Sequence, residues 1–258
     1  MKLIDIKNNY SFIKKEQDRK DIWLYYVIRK ISFFFTWLFL KFNISANQTT
    51  YIAVVIGTMG CGLLAFGDYG FRIIGALLIS LWIILDCVDG NIARITKTES
   101  NYGEFIDALS GYIMNVFLFL SVGISAYLHP DSYFNQFSGQ NILVILGIWT
   151  SLSVIFPRLI YHKFRNIFSQ AANDRIRFKE CSKRFFSSLE RISHNIVSFS
   201  GFLTPLLLLA TVFELLSIFI IFYALINTCI LIVSVVLIIF NARKSEIKNR
   251  CFKDDGNK

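Results

Sequence analysis

Runs of about twenty apolar residues recur along this chain, at 48–67, 71–95, 104–128, 140–163, 196–213 and 216–241. An α-helix needs ~20 such residues to cross the hydrocarbon core of a bilayer. Backbone polar groups inside lipid must be satisfied within the segment, which leaves helices as the natural solution. The 258 residues are 54% hydrophobic and include 26 phenylalanines, a composition that excludes an ordinary soluble domain. The expected fold class is therefore all-α, a polytopic membrane bundle of six transmembrane helices. Residues 22–42 are aromatic and apolar but carry Arg29, Lys30 and Lys41, and read as an amphipathic interfacial helix.

Charge sets the expected orientation. The net charge is +9. The amino end holds six Lys/Arg, the Arg94–Tyr102 turn two, the 164–195 loop seven and the tail after 241 six. The alternate loops, 129–139 and the break near Glu214, hold none. That asymmetry is the positive-inside pattern and places the basic segments in the cytosol. A seventh span at 22–42 would strand the amino-terminal charges outside. The positive segments suit anionic lipid headgroups, and no nucleic-acid partner is expected. The organisation is then a cytosolic arm and interfacial helix (1–47), a membrane domain (48–241) and a basic cytosolic tail (242–258). Five cysteines without paired spacing suggest neither a disulfide nor a zinc site.

Carboxylates stand where the second run ends and the third begins. Asp86, Asp89, Gly90 and Ala93 fall at i, i+3, i+4 and i+7, one face of a helix. Glu104, Asp107 and Gly111 repeat that spacing on the next helix. Two antiparallel helices joined by a short polar turn can aim both faces at one spot. Oxygen ligands of this kind suit a hard cation, Mg2+ or Mn2+, rather than zinc. The bland alternative is a structural charge pair with Arg94 that holds helices in register. Glycines on this face also have a packing use.

At these residues the chain resembles the CDP-alcohol phosphotransferase family, whose motif reads D-x2-D-G-x2-A-R-x8-G-x3-D-x3-D. Asp86, Asp89, Gly90, Ala93, Arg94, Gly103 and Asp107 match it with every spacing kept, and Gly111 stands where the family has its last aspartate. The resemblance implies a metal-dependent transferase that moves a phospho-alcohol or phosphatidyl group from a CDP-linked donor to an alcohol or lipid hydroxyl, with release of CMP. It makes Asp86, Asp89 and Asp107 the metal ligands. Gly90, Ala93, Arg94 and Gly103 become nucleotide-binding residues, and Ser100 and the stretch Asn47 to Thr50 further contacts to the CDP part. The last family aspartate is its general base. Glu104, two turns earlier on the same face, is the replacement this chain offers, although ~10 Å of helix rise separates the positions. Glu104 also fits a helix-dipole role in a first turn, and a phosphate on the acceptor is another candidate base. A catalytically silent member that binds CDP-linked lipid, or serves in a membrane complex, is the rival reading. Arg158, beside Pro157, suits either an acceptor phosphate or snorkelling to the membrane surface. A homodimer is left open by the sequence.

Overall fold

The computed structural model describes residues 10, 12–19, 21–131, 139–168 and 197–255. Its helices are α1 (Phe12–Asp18), α2 (Arg29–Lys41, preceded by a π-helical turn at Leu24–Ile28), α3 (Ala46–Phe66), α4 (Tyr69–Thr96), α5 (Asn101–Leu128), α6 (Asn141–Phe168), α7 (Leu203–Val212) and α8 (Leu216–Asp255). No strand occurs among the described residues. The basic 164–195 segment from 169 onward, and most of the 129–139 loop, lie outside them.

Local chemistry sets the helix ends. Ser45 opens α3 with a capping box: its hydroxyl accepts from Gln48 N, and Gln48 Oε1 accepts from Ser45 N. The second carboxylate-bearing pair of ends is just as well defined. Lys97 takes a left-handed conformation (φ 56°) that stops α4, and Ser100 Oγ accepts from Gly103 N at 3.0 Å to start α5. Only four residues separate the two helices, so they run back antiparallel and keep the acidic faces together.

Five helices are long and apolar enough to cross a membrane: α3, α4, α5, α6 to Ile167, and α8 to Arg243. The run expected to span at 196–213 differs. Among the described residues it consists of a turn around Ser198–Phe202 and the ten-residue helix α7. Ten residues rise ~15 Å, about half the hydrocarbon thickness. The interruption has a local cause, because Ser198 Oγ accepts from Gly201 N and closes a turn within the apolar stretch. The break expected near Glu214 is present. Glu214 adopts φ 54° and pairs with Arg72 of α4 at 3.1 Å, while Tyr69 donates to Val212 O.

Helix α3 packs on α4 and α5, α6 on α5 and α8, α2 and α7 on α4. Glycine allows two of these approaches. A Cβ on Gly75 would lie 2.6 Å from Gly60 O, and one on Gly147 would lie 2.7 Å from Phe119 O and 3.0 Å from Gly123 Cα. Backbone touches backbone there, as small residues permit in membrane bundles. The interior holds Trp82, Met114, Leu118, Phe119 and Tyr223, with Trp82 Nε1 satisfied by Ser110 Oγ at 3.1 Å. Outward faces are apolar and exposed, for example Val55, Leu77, Leu152 and Val236. In water such a surface would aggregate, whereas in lipid it is matched by its surroundings.

Candidate active site

Where α4 ends and α5 begins, a cavity of about 1200 Å³ opens between these helices, the start of α3 and the amino-terminal residues. Asp86, Asp89, Asp107, Glu104 and Arg94 all line it. Gly90, Ala93, Ser100, Gly103, Asn47 and Thr50 line it too, while Gln48 and Thr49 of the predicted stretch and Arg158 do not. The helical spacing explains the acidic lining, since each acidic face needs only its own helix to be regular.

The individual positions refine the expected roles. Thr50 Oγ1 donates to Asp89 Oδ2 at 2.6 Å, and Gly90 N donates to Asp89 Oδ1. Asp89 is 6% exposed, so these two donors hold its carboxylate in one orientation. Asp86 and Asp107, from consecutive helices, line the same chamber. A Cβ on Gly90 would meet the Arg94 guanidinium at 3.2 Å, so the space over Gly90 is taken by Arg94. Gly103 sits between Ser100 Oγ and Asn47 Oδ1 (3.3 and 3.4 Å from a notional Cβ), which lets the ends of α3 and α5 meet. Ser100 is thus the cap of α5 as well as a lining residue.

The donor set bears on a metal. Among the described residues, no group of three or more His, Cys, Asp or Glu side chains is gathered tightly enough to hold an ion by itself. Asp86 and Asp107 nevertheless bring carboxylates from two helices to one chamber, and Asp89 lines it with its orientation fixed. Carboxylates gathered in one chamber repel one another unless a proton or a cation offsets their charge. An oxygen-only set of this kind fits a hard divalent ion completed by ligands from a phosphorylated substrate.

A second cavity, about 740 Å³, shares Asp86 and Asp107 with the first and continues toward Gly111, Tyr112, Arg158 and His162. Gly111 faces open space, with nothing within 4 Å of a notional Cβ. The Arg158 guanidinium lies 5.9 Å from the centre of the Tyr112 ring, whose hydroxyl is 3.3 Å from His162 Nε2. The two cavities meet at the carboxylate pair.

Sequence reasoning passed over several lining residues, among them Lys14, Asp18, Arg29 and Asp21. Arg29 was visible as a charge in an apolar segment, the one signal that pointed to it. In the structure it is buried and paired with Asp18 rather than turned to water.

Five helices long and apolar enough to span, with an acidic, arginine-bearing chamber among them, define an integral, multi-pass membrane protein. The CDP-alcohol phosphatidyltransferase profile matches residues 43–183, just over half of the chain, and the protein belongs to that family of membrane transferases. No curated protein sequence matches the chain significantly.

Proposed function

We propose that the protein transfers a phospho-alcohol or phosphatidyl group from a CDP-linked donor to the hydroxyl of an alcohol or lipid acceptor, releasing CMP, in phospholipid or related glycan biosynthesis. The observation that carries this reading is the convergence of Asp86, Asp89 and Asp107 with Arg94 on one chamber. In this reading Asp86, Asp89 and Asp107 hold Mg2+ or Mn2+, which would act as a Lewis acid on the pyrophosphate when bound. Arg94 binds phosphoryl oxygens, for which a guanidinium offers paired donors. Asn47, Thr50, Ala93, Ser100 and Gly103 form the walls for the CDP part. The acceptor enters through the second cavity, with Arg158 positioned for an anionic group.

The reaction forms a bond from the acceptor oxygen to the donor's phosphorus and breaks the phosphorus–oxygen bond to CMP. The acceptor's proton passes to Glu104 or to a phosphate on the acceptor itself. Six crossings, the fifth made by the short α7 and the turn before it, an interfacial helix at 22–42 and a cytosol-facing site complete the proposal, supported by the charge asymmetry of the loops and by the Arg72–Glu214 pair, which brings the end of α7 to the start of α4.

Gly111 favours a second reading, a silent member that binds CDP-linked lipid without turnover or acts in a membrane complex. Its open surroundings leave the family's basic position without a carboxylate. CMP release by the purified protein, measured over a panel of CDP donors and hydroxyl acceptors with magnesium, separates the two. Turnover by any pair supports the enzyme. CDP binding without turnover supports the silent reading, and absence of both removes the nucleotide assignment.

A further inference from the structure

Two guanidinium groups converge on one amide oxygen beside the nucleotide cavity. Arg29 Nη1 donates to Asn91 Oδ1 at 3.1 Å, and Arg94 Nη2 donates to the same oxygen at 3.0 Å. Asn91 is 5% exposed and occupies a position that the family motif leaves open. Its Nδ2 donates to Thr36 Oγ1 at 3.1 Å and Ser32 Oγ at 3.4 Å, on successive turns of α2. Both hydroxyls spend their own protons on backbone carbonyls of that helix, so their lone pairs remain for Asn91. The amide is therefore held from both ends and cannot flip without losing several bonds.

Like charges brought this close repel, and the arrangement persists only if one is offset. Asp18 does this for Arg29, at 2.5 Å with both side chains buried. Tyr10 donates to Asp18, and Lys14 lies 3.5 Å from it. Among the described residues no carboxylate lies within ion-pair distance of Arg94, so its charge is left for an anion in the cavity. Asp18 and Arg29 both precede the family-matched residues 43–183.

From this geometry we infer that Asn91 is a positioning residue, through which the amino-terminal Asp18–Arg29 pair holds Arg94 over the nucleotide cavity. The inference rests on the CDP-binding reading of that cavity. It makes the segment before the family-matched region a working part of the site rather than a tether. Without Asp18, the uncompensated Arg29 would push Arg94 away from their shared oxygen.

Calorimetric binding of CDP to the full chain in lipid nanodiscs with magnesium tests this. Asp18→Asn removes a negative charge from the cavity wall, which by charge alone would tighten CDP binding. Positioning predicts the opposite, a loss of about tenfold, the size expected for losing a hydrogen bond between an ion and its partner. Asp18→Glu should recover part of it. Unchanged or tighter binding by Asp18→Asn overturns the inference. Asn91→Ala should weaken CDP similarly, and the double variant Asp18→Asn/Asn91→Ala should bind no more weakly than Asn91→Ala alone. Fully additive losses overturn it as well. Amide hydrogen exchange gives a readout without nucleotide: Asn91→Ala should speed exchange across Phe12–Asp18, and unchanged exchange counts against the relay. Wild-type protein that binds no CDP would defeat the functional reading, while the exchange result would still decide the relay.

Discussion

The Thr50 hydroxyl donates to Asp89 Oδ2 at 2.6 Å, linking the first spanning helix to the acidic face of the second. This partner orients a carboxylate in the way outer ligands orient metal-binding groups, and such partners are typically worth 10–100-fold in metal affinity. Thr50→Val keeps the shape and removes the donor. It should raise the magnesium concentration needed for CDP binding by about tenfold or more, with Thr50→Ser close to wild type. Identical magnesium titrations for Thr50→Val and wild type would show that Asp89 needs no such support.

Asp89→Asn is nearly isosteric and removes the charge from the chamber. CDP binding should become severely weakened, and its remaining part should no longer respond to magnesium. Retained magnesium-dependent binding would make the carboxylates structural links between helices.

Gly111 is surrounded by open space, so an aspartate there can be built without displacing a neighbour. General-base assistance is worth roughly 10²–10⁴-fold. If Glu104 supplies it, Glu104→Gln should cost tens-fold in CMP release, leave CDP binding nearly unchanged, and be rescued by Gly111→Asp. An active protein indifferent to Glu104→Gln would assign proton removal to the acceptor's own phosphate.

Asp131, in the connection after α5, accepts from Ser217 N at 3.0 Å and caps α8 while buried. Burial raises its pKa above the ordinary carboxylate value, against the opposing pull of its bonds to Ser217 and Ile218. The folded protein thus holds this proton more tightly than the unfolded chain. Its contribution favours the fold in acid and is withdrawn as pH rises from the ordinary aspartate range through the raised value. Asparagine keeps a capping oxygen without the charge. The thermal midpoint of Asp131→Asn relative to wild type should therefore climb as pH is raised toward neutrality. A difference that stays constant with pH would refute this account.

Single cysteines at Lys97 and His129, in an otherwise cysteine-free protein, should react with an impermeant thiol reagent from opposite sides of the membrane. Lys97 should label from the cytosol. Labelling of both from one side would break the assignment of α5 as a spanning helix.

The chamber was legible because its acidic residues keep helical period on two adjacent helices, and period is a local property. The ends were legible through Ser45 and Ser100, residues whose side chains cap α3 and α5. The junction of Asp18, Arg29 and Asn91 left no such trace. Its partners are 62 residues apart at the Arg29–Asn91 bond, and nothing in either segment specifies the other. Apolar content likewise marked 196–213 as one continuous run, because hydropathy averages over Ser198 and Gly201 and misses the turn that they close. Thr50 lines the chamber, yet its attachment to Asp89 depends on how α3 crosses α4, which composition does not encode.

The glycine contacts between α5 and α6 occur at Gly123 and Gly147, whereas toward Gly111 the same helices meet through side chains, Tyr112 with His162 and Arg158, beside the second cavity. Backbone touches backbone at one end of the pair, and at the other a cavity lies among side chains. Both cavities lie at the end where α4 finishes and α5 begins, so in the proposed function the chamber serves a single leaflet. A lipid made there would be delivered to the leaflet from which its precursor came. Supplying the opposite leaflet would then fall to a separate translocating activity, and a membrane relying on this protein alone would acquire its new headgroups asymmetrically.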